Sequence, residues 1–197
     1  MADWNTISEF ENTIADFFGS KYAVSVDCCT HAVELSLRLT ETNQVSCPRQ
    51  TYLSIPMTFM KLGLEWKFRN EDWQDYYYIG NSNIIDAAVL WKQGSYIPGT
   101  LMCLSFQFKK HLKLGRGGMI LLDNLSDFKK LKEMSYDGRF GERPWPEQII
   151  EQLGYHYYMT PETAELGLKK FKEVKDMPPQ KWSYKDYPDI SLQKVFQ

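Results

Sequence analysis

Short apolar runs, each of strand rather than helix length, recur through the first two thirds of the chain. They lie at residues 22–26, 45–47, 64–68, 76–79, 83–87, 101–106 and 119–123. Most are rich in Val, Ile, Tyr or Phe, and helical-period stretches flank several of them, so about seven strands alternate with helices and the class is α/β.

Residues 8–18 place Phe10, Ile14, Phe17 and Phe18 at helical spacing, with Ser8 as N-cap, Glu11 three residues on and Gly19 as the stop. Residues 22–26 then read as a buried strand and 30–39 as a helix packing Ala32, Val33, Leu35, Leu37 and Leu39, which gives strand, tight turn, helix. Only Gly80-Asn81-Ser82 separates two of the runs, whereas a parallel crossover needs roughly a dozen residues. Either those runs form a hairpin or one is not a strand. Residues 70–75 have room for a turn or two of helix at most. Further helices are expected over 126–133 and 162–174, with a Gly- and Pro-containing loop over 137–146. Residues 1–175 are read as one domain and 176–197, which lack periodicity, as an arm or tail.

With 23 Lys plus Arg against 25 Asp plus Glu, and no long basic stretch, a nucleic-acid partner is not expected. No stretch approaches the roughly 18 apolar residues of a membrane span, and no leader pattern opens the chain, so a cytoplasmic protein without a membrane partner is expected. Cys28, Cys29, Cys47 and Cys103 form no CxxC pair, so free, mostly buried thiols are expected and a metal site is not.

Three features could carry chemistry. Asp86 ends an apolar run, where a carboxylate needs a cationic or hydrogen-bonding partner, and the C-terminal edge of an α/β sheet is where ligands bind; the same residue could equally cap the next turn. Lys110 follows another apolar run, where burial could depress its pKa and make it a nucleophile toward a carbonyl, although most lysines are simply solvated. Cys29-Thr30-His31 stands at a strand-to-helix junction suited to phosphate, and Thr30 could alternatively be a routine N-cap. An anion site, a carboxylate and a lysine together suit one ligand.

In this arrangement the chain resembles the DegT/StrS-type aminotransferases. Phe10-Glu11 through Val24 is similar to the family's opening helix and strand, and Cys28-Cys29-Thr30-His31-Ala32-Val33 stands at its Ser-Gly-Thr-x-Ala-Leu phosphate turn. Pro48-Arg49-Gln50-Thr51-Tyr52 resembles a Pro-x-x-Thr-Phe stretch, Asp86-Ala87-Ala88 an Asp-Ala-Ala element, Ser105-Phe106 with Lys110 a Ser-Phe-x-x-x-Lys element, and Gly117-Gly118 the glycine pair beyond it. Residues 154–168 are similar to the Gly-x-Asn-Tyr-Arg-Met segment and the helix after it.

The resemblance implies a three-layer α/β/α large domain with a mostly parallel sheet of about seven strands, with the C-terminal small domain largely absent. It implies a pyridoxal 5'-phosphate site, with Lys110 as the Schiff-base lysine and Asp86 at the pyridinium nitrogen. Tyr52 would cover the ring; Thr30, His31 and Ser105 would hold the phosphate, and His156 would reach it from the second subunit of a homodimer. The implied activity moves an amino group from a donor such as glutamate to a keto-sugar nucleotide; the alternative is a family member without catalysis, acting as a binding or structural homodimer. Departures accompany the match: Val89 replaces a glutamine, His156 an Asn, Tyr158 an Arg, Cys28-Cys29 a Ser-Gly and Arg116 a Glu.

Overall fold

A computed structural model describes residues 3–141 and 143–197. In chain order the strands are β1 (Tyr22–Val26), β2 (Gln44–Pro48), β3 (Glu65–Arg69), β4 (Tyr77–Tyr78), β5 (Ile84–Asp86), β6 (Leu101–Ser105) and β7 (Gly118–Leu122). The helices are α1 (Trp4–Phe18), α2 (Cys29–Leu39), α3 (Ser54–Lys61), α4 (Leu125–Ser135) and α5 (Pro161–Val174).

All seven expected strands form, in a five-stranded sheet of order β1-β7-β6-β5-β4 and a parallel β2-β3 pair. Gly80 N donates to Ser46 O at 2.8 Å, and the Arg69 guanidinium bridges Ser46 O and Tyr78 O, so the pair stands beside the β4 edge. Successive residues of the central strands face opposite ways. Val24, Val26, Ile84, Leu101, Cys103, Ile120 and Leu122 join a core with α2, α3 and α4. Ala23, Ile85, Met102, Leu104, Met119 and Leu121 join a second core with α1 and α5. Burial on both faces is what runs without polar alternation require, and it makes the three layers.

The pairing is mixed rather than mostly parallel. β5 and β6 are parallel, but β4-β5, β6-β7 and β1-β7 are antiparallel. The open question at Gly80 resolves as a hairpin: Tyr77 pairs with Asp86 and Tyr78 with Ile85, and Gly80 takes φ 58°, which glycine adopts without strain. A five-residue link, 79–83, is far too short for a parallel crossover.

Helix boundaries shift where local chemistry overrides spacing. The first helix starts at Trp4, not near Ser8, because Asp3 and Thr6 cap each other reciprocally; it ends, as expected, at Gly19 in the left-handed conformation. α3 had no counterpart in the pattern, since Pro56 argues against a helix. Pro56 is the third helical residue, where an N–H would have no intrahelical partner anyway. Residues 70–75 form no helix. The C-terminal arm holds three short 3₁₀ turns and lies against the body through antiparallel bridges Gln74–Ser183 and Gln50–Asp189, with Ile190 buried. No helix among the described residues is long and apolar enough to cross a membrane.

Candidate cofactor site

Asp86 closes β5 and is 7% exposed. The Tyr77 hydroxyl, opposite it in the hairpin, donates to Oδ2 at 2.5 Å, and Ala88 N donates to Oδ1 at 3.0 Å. The Tyr77 proton is committed to Asp86, so Thr51 Oγ1, 2.5 Å from the Tyr77 oxygen, is the donor in that contact. Burial pushes the Asp86 carboxyl above its ordinary value, and the Tyr77 and Ala88 donors and the charge of Lys110 oppose that push. A carboxylate this dry, with one cation in range, is poised for a cationic ligand atom.

Lys110 sits on the loop between β6 and β7, its amide donating to Gln107 O at 2.8 Å. Burial pulls its amine below the ordinary lysine value; the charge of Asp86 works against the fall and Lys109 adds to it. Ser105, at the end of β6, lines the same cleft as Lys110. The fold therefore brings Asp86, Lys110 and Ser105 to the C-terminal ends of the adjacent parallel strands β5 and β6.

The turn expected to hold phosphate follows β1. Cys28, not Thr30, is the N-cap of α2, and it makes no side-chain capping bond among the described residues. Thr30 Oγ1 instead donates to Ser54 Oγ at 2.8 Å, where α3 begins. The first-turn N–H groups of α2 are thus left for an anion. Gly118 lets β7 press on this turn, since a Cβ there would stand 2.4 Å from Cys28 C and 2.5 Å from Cys29 N. Burial drives the Cys29 thiol well up, with the charge of Asp86 adding to it, so it stays protonated.

His31 stacks on Tyr157 with ring centroids 3.6 Å apart, and its Nδ1 lies 2.6 Å from Asp27 Oδ1. Burial alone would lower its pKa, but the Asp27 and Cys28 contacts raise it to about 9. Asp27 also pairs with Arg116 at 2.6 Å. Asp27, Cys28 and His31 bring three potential ligand atoms within 4.8 Å. A protonated His31 and the Arg116 cation oppose a metal ion there.

Tyr52 is 59% exposed. His156 is exposed, its Nδ1 2.8 Å from Asp137 Oδ2 of its own chain. Its backbone is left-handed, φ 55°, a conformation in which Asn and His are both enriched, so this exchange keeps the turn.

Spacing did not reveal the parts played by Tyr77 and Thr51, nor those of Trp182 and Tyr187 of the arm. Trp182 lies over the Lys110 amine, 5.5 Å from Nζ to the ring centroid, and Gln180 and Trp182 line the Lys110 cleft. The phenol of Tyr187 is pushed up by burial and by Asp86 among other neighbours. A larger cavity of about 320 Å³ between α1 and α4 holds none of the expected residues. Its buried Glu11 is already satisfied by Ser25 and Lys132.

The model of the DegT/DnrJ/EryC1/StrS aminotransferase family matches residues 2–85 and 92–195. The chain belongs to that family. The short segment containing Asp86 lies between the two matched stretches, so its assignment rests on the strand end and the partners above. The chain is similar to AtS13 from Actinomadura melliaura, with TM-score 0.76 and 20% identity over 89% of this chain and 61% of that one. The sugar aminotransferase CalS13 from Micromonospora echinospora matches with TM-score 0.71 and 15% identity over 87% of this chain and 61% of that one. In sequence the chain is 23% identical to the uncharacterized protein MJ1066 of Methanocaldococcus jannaschii, over 89% of this chain and 60% of the relative. It spans about three fifths of the length of each.

Proposed function

We propose that the protein is a pyridoxal-phosphate-dependent aminotransferase that moves an amino group from a donor such as glutamate to a keto-sugar nucleotide, working as a cytoplasmic homodimer. The observation that carries this reading is the pairing of a dry carboxylate, Asp86, with a lysine of depressed pKa, Lys110, at neighbouring parallel strand ends. The donor set fits the cofactor: a buried carboxylate for a ring nitrogen, an amine for its aldehyde, and free first-turn amides for its phosphate.

Lys110 would hold the cofactor covalently. Asp86, fixed by Tyr77 and Ala88 N, would keep the ring nitrogen protonated, and Tyr52 would cover the ring face. Thr30, His31 and Ser105 with the first turn of α2 would bind the phosphate, joined by His156 of a second copy. Pyridoxal phosphate, when bound, supplies an electron sink for bonds at an amino acid's α carbon. The Lys110 amine, its pKa lowered by burial, would then take and return the proton at that carbon.

A second reading, a non-catalytic binding or structural homodimer, draws on Val89 in place of a glutamine and on the arm beside Lys110. Release of keto acid from glutamate separates the two. Protein loaded with pyridoxal phosphate should release one equivalent of 2-oxoglutarate per protomer, and Lys110→Ala none. No release above the Lys110→Ala background under saturating glutamate would leave the non-catalytic reading standing.

A further inference from the structure

The cleft beside Lys110 is lined by Ala88, Val89, Ser105 and Lys110 from the body and by Gln180 and Trp182 from the arm. Its free volume is about 10 Å³. That is roughly the space of one water, whereas ligand pockets hold about 300–1,000 Å³. Tyr187 deepens the closure: its ring packs on Trp73 at 5.4 Å, and Trp73 packs at 5.3 Å on Tyr77, the residue that holds Asp86. The arm therefore stands over both ends of the site, its aromatics at Lys110 and beside the Asp86 support.

Few backbone hydrogen bonds hold residues 178–193 to the body. Asp75 N donates to Trp182 O, Tyr184 N to Trp73 O and Ile190 N to Arg49 O, and Arg49 meets Asp189 at 3.5 Å across partly exposed side chains. From 178 to 193 only Ile190 is buried, and none of these residues belongs to a strand of either sheet. Segments with few buried apolar contacts and solvent-accessible hydrogen bonds open locally without global unfolding.

We propose that residues 178–193 form a displaceable cover on the cleft beside Lys110, closed in this structure and lifted before a cofactor enters. The inference rests on reading the cleft as a pyridoxal-phosphate site, but the cover itself can be tested without the cofactor. Gln74 and Ser183 face each other as a non-hydrogen-bonded antiparallel pair, flanked by the Asp75–Trp182 and Tyr184–Trp73 bonds. Such pairs have Cα atoms about 4.5 Å apart, within disulfide range. The full-length double variant Gln74→Cys, Ser183→Cys can therefore be locked by oxidation and released by reduction.

Reductive methylation with formaldehyde, read lysine by lysine by peptide mass spectrometry, reports access to the Lys110 amine. Locking should slow Lys110 by at least about tenfold relative to the reduced form, with Lys129 and Lys130 unchanged. In the otherwise unmodified chain, Trp182→Ala should speed Lys110 selectively. Uptake of pyridoxal phosphate, followed by its visible band, should be lost on oxidation and restored on reduction. Equal Lys110 methylation in the locked and reduced forms would overturn the cover. Protection of Lys110 on locking, with no cofactor band in either form, would keep the cover and defeat the cofactor reading instead.

Discussion

Tyr77→Phe removes one hydroxyl and tests what keeps Asp86 ionised inside the sheet. The lost bond runs to a charged acceptor and is worth about 1.5–3 kcal/mol while Asp86 is charged. Thr51 Oγ1 loses its acceptor as well, at a cost of about 1 kcal/mol at any pH. The pH dependence has a definite sign. The folded-state pKa of Asp86 is raised above 3.8, so its contribution to stability is complete below 3.8 and is lost as pH rises through the folded value. Removing the Tyr77 donor favours the protonated form further and deepens that loss. Urea unfolding of wild type and variant, with equal m values, should show a penalty of about 1 kcal/mol below pH 3.8, where the raised carboxyl is protonated, and one that grows by about 1.5–3 kcal/mol as pH rises through the folded value. Other titrating groups cancel in the difference between the two proteins. A penalty of the same size across that range would refute the idea that Tyr77 serves the charged carboxylate.

Gly118→Ala should cost about 1–3 kcal/mol, because the added methyl meets Cys28 and Cys29 backbone rather than a movable side chain; a neutral change in urea midpoint would show that the turn yields freely. His31 is raised from 6.5 to about 9, so its stabilising effect is whole below 6.5 and fades as pH rises through about 9. Discounted for the partial exposure of the pair, wild type should lose about 1–2 kcal/mol over that range relative to His31→Gln. Parallel pH profiles for the two proteins would contradict the ion-pair account.

Much of the layer structure was legible because both faces of β1, β6 and β7 are apolar, and buried central strands carry that mark whatever their direction. Strand direction was not legible, since it depends on how each link runs; the Gly80 turn allowed two readings and the β6–β7 loop, though long, joins antiparallel neighbours. α3 was hidden by Pro56, whose harmlessness depends on falling in a first turn. At the site, Asp86 and Lys110 stood out because a charge ending an apolar run is expensive unless used. Tyr77 did not, because Tyr76-Tyr77-Tyr78 reads as sheet packing and only the hairpin register singles out the middle ring. The arm was invisible as part of the site for the same reason: Trp182 and Tyr187 reach it through contacts with no local pattern.

The central claim is that Lys110 carries the cofactor and Asp86 tunes it. The direct measurement is the absorption spectrum of the full-length protein with pyridoxal phosphate, beside Lys110→Ala and Asp86→Ala, before and after glutamate. A visible band that requires Lys110, shifts on addition of glutamate, and in Asp86→Ala forms but shifts far more slowly is the result the account predicts. A band that is absent, or that persists unchanged in Lys110→Ala, would contradict it.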